Sequence, residues 1–333
     1  MADMTVIERN IERTDLPLVV IPACFPSMIE FFEQELPQFD GLARVRMYTD
    51  MSGDEQLLAQ RMSGARVAMT TGVHFSTALL DSLADSTRCI TFGGTGVANF
   101  VDLEQAKRLG VRICNVVHYG DNAVAEHAIA MMFDLAHHVG EGDRRTRNEG
   151  WPSIDIEEVG GQTLGLVGFG GIGRKVASLA HALDMNLLVY ARHPDHETLQ
   201  QLGARSAVDI DQVFAESNIV SMHLALNEQT TGIIGTRQLN LLRPGSLFIN
   251  TARAELVDGD ALLYRLQKGD IRAGLDVFAP EPLSKDDPLR ALDNVVLTPH
   301  IAWRSKQALQ GIVQQSVRAA VAFLQGTAYN VVC

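Results

Sequence analysis

Residues Gly161 to Ala180 read GQTLGLVGFGGIGRKVASLA, and no other stretch of this 333-residue chain restricts its fold so tightly. Leu164, Leu166 and Val167 form a short apolar run that stops at Gly168. Gly168, Gly170 and Gly173 then spell G-x-G-x-x-G, and Val176, Ala177, Leu179, Ala180 and Leu183 recur at helical intervals. This pattern predicts a strand, a turn that needs glycine, and a helix whose free N–H groups and positive dipole end face a pyrophosphate. Gly168 permits the turn, Gly170 lets backbone approach phosphate, and Gly173 lets the helix pack on the strand. Gly171 and Ile172 carry the N–H groups between them. Glycine triplets also arise in ordinary turns, but the strand before this one and a second apolar strand after the helix, Asn186 to Tyr190, favour dinucleotide binding.

The rest of the chain repeats the same alternation. Strand-like runs such as Leu16 to Pro22, Ala65 to Met69 and Cys89 to Phe92 are separated by helix-length segments up to about residue 117, which predicts a parallel sheet covered on both faces. A second α/β unit is expected from 118 to 301. The last helix, Ser305 to Leu324, has no strand after it and is expected to return to the first unit. The predicted fold is therefore α/β, with two doubly wound parallel-sheet domains and a cleft between them. The domains are 1–117 with 302–333, flavodoxin-like and substrate-binding, and 118–301, a Rossmann dinucleotide-binding domain.

Two segments of the second unit stand outside this scheme. Residues 121 to 138 read as one long helix, and GEGDRRTRNEGWPSIDIEEVG after it reads as polar and irregular. An arm too long for a simple connection is expected to pack on a second subunit, as a homodimer. His137, His138 and Glu141 are read as a solvated helix end rather than a metal site.

The formal charge of −12, from 28 Lys and Arg against 40 Asp and Glu, repels nucleic acid and anionic membrane, so an anionic ligand must be held by local basic groups. MADMTVIERNIERTD at the start has no apolar core of a signal peptide, and no run approaches the ~18 residues of a membrane span, so a cytoplasmic protein is expected. The four cysteines show no C-x-x-C pairing, and the three in or beside apolar runs read as small buried thiols.

The choice of dinucleotide turns on the end of the strand at 186–190. An acid there would bind the ribose 2′-OH, but the chain continues Ala191-Arg192-His193. Arg192 can grip a 2′-phosphate, with His193 beside it, so NADP(H) is expected over NAD(H). The alternative makes Arg192 an ordinary surface residue and leaves the ribose to Asp195 or a backbone contact.

Three ionisable residues follow strand ends in the second unit: Arg253 in INTARAELVD, Glu281 in APEP and His300 in LTPHIAW. Carbonyl reduction by hydride needs a cation for an anionic substrate, a proton for the developing alkoxide, and an acceptor that orients the proton carrier. Arg253, His300 and Glu281 fit these in turn. In the first unit Gly93-Gly94-Thr95-Gly96-Val97 follows a strand end, and its backbone amides either hold a substrate carboxylate or form a simple βα turn.

Together these motifs resemble the D-isomer-specific 2-hydroxyacid dehydrogenase family, which includes glyoxylate/hydroxypyruvate reductases, D-lactate dehydrogenases and phosphoglycerate dehydrogenases. The resemblance is strongest from Gly96 to His300, in GVANFVDLEQAKRLGVRICN, AVAEHA, TLGLVGFGGIG, HLALNEQTTGIIG, LRPGSLFINTARAELVD, GLDVFAPEPL and NVVLTPHIAW. It implies Arg253 as carboxylate binder, His300 as acid/base and Glu281 as its partner. It also implies Asp276 near the nicotinamide carboxamide, His223 and Thr251 lining the cofactor cleft, Thr95, Gly96 and Val97 as substrate-binding amides, and the 121–138 helix with its arm as a dimer interface. Gly171 stands where the family often has Arg, and Ala98, Ala225 and Ala254 depart from its usual Asp, Pro and Gly. The resulting expectation is a reductase of small 2-oxo acids, of the glyoxylate or hydroxypyruvate type. The alternative is a dinucleotide-sensing corepressor-like binding protein.

Overall fold

Leu18–Ile21, Val67–Thr70 and Cys89–Phe92 are each buried at every position, as strands covered on both faces must be. In the computed structural model, which describes residues 5–333, the chain divides into two units, Met1–Tyr119 with Ser305–Cys333 and Gly120–Arg304. The first holds one sheet of β1 (Val6–Arg9), β2 (Leu18–Ile21), β3 (Arg44–Tyr48), β4 (Val67–Thr70), β5 (Cys89–Phe92) and β6 (Arg112–Cys114), ordered β1-β3-β2-β4-β5-β6. From β3 to β6 every pairing is parallel, in a doubly wound order.

The strand β1 is an addition to the expected scheme, antiparallel to β3 with Val6 opposite Tyr48. Its alternating, half-exposed pattern and its charges hide it in the sequence. Those same charges hold it in place, since Glu8 lies directly across from Arg46 and pairs with it at 2.7 Å. Charged residues also suit an edge strand by discouraging further pairing.

Helices α1 (Ile29–Glu35), α2 (Glu55–Met62), α3 (Thr77–Leu83) and α4 (Leu103–Arg108) cover this sheet. Asp54, Ser76 and Asp102 start the last three by accepting a backbone N–H with their side chains. The C-terminal helix, Lys306–Leu324, buries Leu309, Ile312, Val313 and Val317 in the same unit. The tail after it ends on the edge of β6, where Ile113 N–H donates to Cys333 O at 2.9 Å.

In the second unit α5 (Asp121–His137) and α6 (Val139–Glu149) precede β7 (Thr163–Val167), α7 (Gly171–Ala182), β8 (Asn186–Tyr190), α8 (His196–Gln201), β9 (Arg205–Ser206), α9 (Ile210–Glu216) and β10 (Ile219–Met222). Then follow α10 (Thr236–Leu241), β11 (Leu247–Asn250), α11 (Gly259–Gln267), β12 (Arg272–Leu275) and β13 (Val295–Leu297). The sheet is wholly parallel, in the order β13-β12-β11-β10-β7-β8-β9. Strands are added outward in one direction from β7 to β9 and in the other from β10 to β13, and the carboxyl ends of strands at such a switch point are where open α/β sheets take ligands.

The segment expected to be irregular is helical over its first half. No residue of α6 is buried, so packing within the unit does not explain the helix. Ion pairs four residues apart do: Arg145 with Glu141 at 3.2 Å and with Glu149 at 3.1 Å, and Arg147 with Asp143 at 2.8 Å. Each such pair adds only ~0.2–0.5 kcal/mol, but they act in concert along one helix. His138, at φ +52°, separates α5 from α6, and its Nδ1 meets Glu141 Oε2 at 2.9 Å. Trp151, just past α6, is 94% exposed. Among the described residues no helix is long and apolar enough to cross a membrane.

Candidate active site

Gly168 takes φ +108°, and a Cβ there would lie 2.5 Å from the His223 carbonyl oxygen. At Gly173 a Cβ would lie 2.4 Å from the Gly168 carbonyl oxygen. The turn from β7 into α7 therefore closes only with glycine at both positions. A Cβ on Gly170 would meet nothing within 4 Å, which leaves the backbone open to an approaching phosphate group. Ile172 is half-buried against the core below. Gly171 has a reason the sequence did not disclose: its Cβ would fall 2.0 Å from Asp121 Oδ2. A carboxylate from the first turn of α5 thus stands against the first turn of α7, at the positive end of that helix.

Beside this turn His223 meets Ser221 Oγ through Nε2 at 2.9 Å, and burial pushes its pKa down to about 4, so the imidazole is neutral. Thr251, after β11, is 6% exposed and its hydroxyl has no hydrogen-bond partner. A buried, unpartnered hydroxyl and a glycine loop with an open side suit a bound dinucleotide.

At the end of β8, Arg192 is exposed and its Nη1 donates to Gln229 Oε1 at 2.8 Å. His193 beside it is also exposed. Asp195 caps α8, accepting from Thr198 N–H at 3.1 Å and Thr198 Oγ–H at 2.8 Å, and it pairs with Arg174 of α7. The Arg174 hydrogen bond, then those from Thr198, hold its carboxyl well below the usual range. Arg174 lies over the Phe169 ring, 5.1 Å from its centroid.

Arg253 sits in a turn built by Asn250, the last residue of β11. The Asn250 amide, 2% exposed, donates to Arg253 O at 2.9 Å and accepts from Ala252 N–H at 3.0 Å. Arg253 Nη1 itself donates to Ala252 O at 2.7 Å. Past β12, Glu281 accepts from Phe278 N–H at 3.0 Å through Oε1, and its Oε2 lies 2.7 Å from His300 Nδ1. A carboxylate only accepts, so Nδ1 carries the hydrogen and Nε2 is left as the outward-acting nitrogen. His300 takes φ +51°, a region that favours glycine.

Asp276, 1% exposed, closes β12 and is wholly engaged with the chain around His300. Its oxygens accept from Thr298 Oγ–H at 2.5 Å and from the N–H groups of Ile301 and Ala302, each at 2.9 Å. His300 and Glu281 are thus brought into direct contact, whereas Arg253 bonds within its own turn. Thr95, Gly96 and Val97 belong to the first unit, where Thr95 Oγ donates to Val116 O at 3.0 Å, Asn115 donates to Thr95 O at 3.1 Å, and Gly96 and Val97 open a short 3₁₀ turn. The sequence reading missed Asn250, Arg174 and Asp121; only the polar Asn at a buried strand end could have signalled the first. Among the described residues no group of three or more His, Cys, Asp or Glu is placed to hold a metal ion.

The family description D-isomer specific 2-hydroxyacid dehydrogenase, NAD binding domain, matches residues 129–302. A glycerate dehydrogenase of Methylorubrum extorquens is 34% identical over 286 residues, covering 83% of this chain and 88% of its own. A glyoxylate reductase of Pyrococcus furiosus is 35% identical over 236 residues, covering 68% of this chain and 70% of its own. Among solved structures, the apo form of D-lactate dehydrogenase from Escherichia coli superposes with a TM-score of 0.83 at 26% identity, over 96% of this chain and 100% of the other. With a family match over more than half its length and a relative of this identity across most of it, the chain belongs to the D-isomer specific 2-hydroxyacid dehydrogenases, oxidoreductases that move a hydride between a nicotinamide dinucleotide and the CH–OH carbon of a small hydroxy acid.

Proposed function

We propose that this chain reduces small 2-oxo acids, of which glyoxylate and hydroxypyruvate are the first candidates, to the 2-hydroxy acids, with NADPH preferred over NADH. The observation that carries the reading is the His300–Glu281 pair at 2.7 Å just beyond the strands of a dinucleotide-binding sheet. A nicotinamide dinucleotide bound along the β7–α7 glycine turn and Thr251 would supply the hydride. His300 gives the proton from Nε2 to the alkoxide oxygen, and Glu281 keeps the opposite nitrogen protonated and the ring aimed. Arg253 pairs with the substrate carboxylate and polarises the adjacent carbonyl. The roles of Thr95, Gly96 and Val97 in holding substrate and of Asp276 near the carboxamide rest on the resemblance alone.

The preference for NADPH is supported by the end of β8. Asp195, an acid close after the strand end, is engaged by Arg174 and Thr198, whereas Arg192 is steadied by a neutral amide and keeps its charge for a 2′-phosphate. A homodimer is proposed through α5, α6 and the arm after them, where Trp151, Val139 and Ile156 are all exposed. No observation favours the corepressor alternative.

The test is a steady-state assay of the purified protein with NADPH or NADH against a panel of 2-oxo acids. Turnover with glyoxylate or hydroxypyruvate, faster with NADPH at low concentration, is expected. Failure of every 2-oxo acid to oxidise either dinucleotide refutes the reading.

A further inference from the structure

The segment from Thr298 to Ala302 hangs on one carboxylate. Asp276 takes the Thr298 hydroxyl on one side of His300 and the amides of Ile301 and Ala302 on the other. A fourth group reaches this cluster from α5. His127 Nε2 lies 3.0 Å from Thr298 Oγ1 and 3.7 Å from Asp276 Oδ1. A threonine hydroxyl has one hydrogen, and the carboxylate at 2.5 Å can only accept it. The hydroxyl oxygen therefore faces His127 as an acceptor, and His127 must present Nε2–H. The result is a directed chain, His127 Nε2–H to Thr298 O–H to Asp276, joining a helix to the ends of two neighbouring strands. Hydrogen bonds linked in this way polarise and strengthen one another.

We infer that His127 is a positioning residue for the proton carrier, acting through Thr298 and Asp276 without touching substrate. His300 sits at φ +51°, which a histidine keeps only where its surroundings over-determine it. The tethers at 298, 301 and 302 supply that constraint and leave Nδ1 2.7 Å from Glu281. Loosening the Thr298 tether lets the segment relax toward ordinary backbone angles, which separates the ring from Glu281 and swings Nε2 off its line to the substrate oxygen. This inference rests on His300 being the proton donor proposed above.

Two pairs of variants in the full-length protein test it. Thr298→Val and His127→Phe remove the hydrogen bond, whereas Thr298→Ser and His127→Gln keep a hydroxyl and an Nε2–H donor. The first pair is expected to lower kcat by about 10- to 100-fold with dinucleotide Kd unchanged, and the second to stay within about threefold of wild type, since a small misplacement of a reacting group costs up to ~10²-fold. A purely packing role would reverse the order at 298, since Val keeps the volume of Thr and Ser does not. Wild-type kcat in Thr298→Val and His127→Phe overturns the inference, as does an equal loss in the conservative variants or a loss confined to Kd. The His127 pair changes a side chain 22% exposed, and it decides the matter if Thr298→Val does not fold. His300→Ala separates this inference from the reading beneath it. Wild-type turnover there overturns both, whereas loss of turnover there with intact turnover in Thr298→Val and His127→Phe overturns only the role of His127.

Discussion

Replacing Asp276 with Asn changes one oxygen to an amine at nearly constant volume, in a site 1% exposed. The three donors around it decide the cost. With the amide oxygen in the place of Oδ1, the bonds from Thr298 and Ile301 survive, and the new NH2 faces the Ala302 N–H, donor against donor. The flipped amide opposes the Ile301 N–H instead and also forces the Thr298 hydroxyl to turn its hydrogen away and accept. The better orientation thus forfeits one hydrogen bond to a charged group, ~1.5–3 kcal/mol, and leaves a buried N–H unpaired at ~1–3 kcal/mol, so about 2–4 kcal/mol of local stability is lost after partial relaxation. At 1.4 kcal/mol per decade, hydrogen exchange of the Ile301 and Ala302 amides should be roughly 30- to 700-fold faster. Exchange followed by mass spectrometry on the peptide spanning 298–304 measures this directly, with β7 and α7 as internal references. If that peptide exchanges as in the wild type, the carboxylate does not hold the His300 segment and the argument for its tethering fails.

Arg192→Ala should raise the KM for NADPH about tenfold, the low end for a charge-assisted contact at an exposed site, and leave NADH within about twofold; an unaltered preference ratio refutes the 2′-phosphate contact. Gly168→Ala, at φ +108° with backbone 2.5 Å from the new Cβ, should cost at least about 2 kcal/mol in chemical denaturation, whereas Gly170→Ala, with open space around it, should unfold much like wild type. Equal midpoints for wild type and Gly168→Ala would contradict the geometry of the turn. His223 has a native pKa lowered from 6.5 to about 4, so the unfolded chain binds a proton before the native one does. Its contribution is intact above pH 6.5 and is lost as pH falls toward 4, by at most about 3 kcal/mol. Urea unfolding between pH 7 and pH 4.5 should show that slope flattened in His223→Gln, and an identical slope in both proteins counts against the neutral, half-buried imidazole.

Features set by local pattern were readable before any coordinates. The run Leu164 to Val167 followed by three spaced glycines marks the turn because both strand burial and helix packing act over a few residues. Arg253, Glu281 and His300 were readable as strand-end ionisable groups for the same reason. The supports beneath them were not. Asp195 and Arg174 are 21 residues apart, His127 and Thr298 are 171 apart, and nothing in either neighbourhood announces the other. The helix α6 was missed because it has no apolar stripe to detect, and β1 because its inward and outward positions differ little in polarity. The segment after α5 thus reads as a loop to any method that searches for buried faces, although its charges alternate at helical spacing.

The carboxylate of Asp121 against Gly171 has a consequence for how this loop can be altered. Any side chain introduced at 171 must first evict that carboxylate, so an arginine grafted there to reach the pyrophosphate would be drawn into an ion pair with its neighbour instead. Unlike 168 and 173, where a side chain would meet backbone, 171 is closed only by the tip of a side chain that can swing aside, so tolerance at this one position of the glycine loop is set by a residue fifty places upstream.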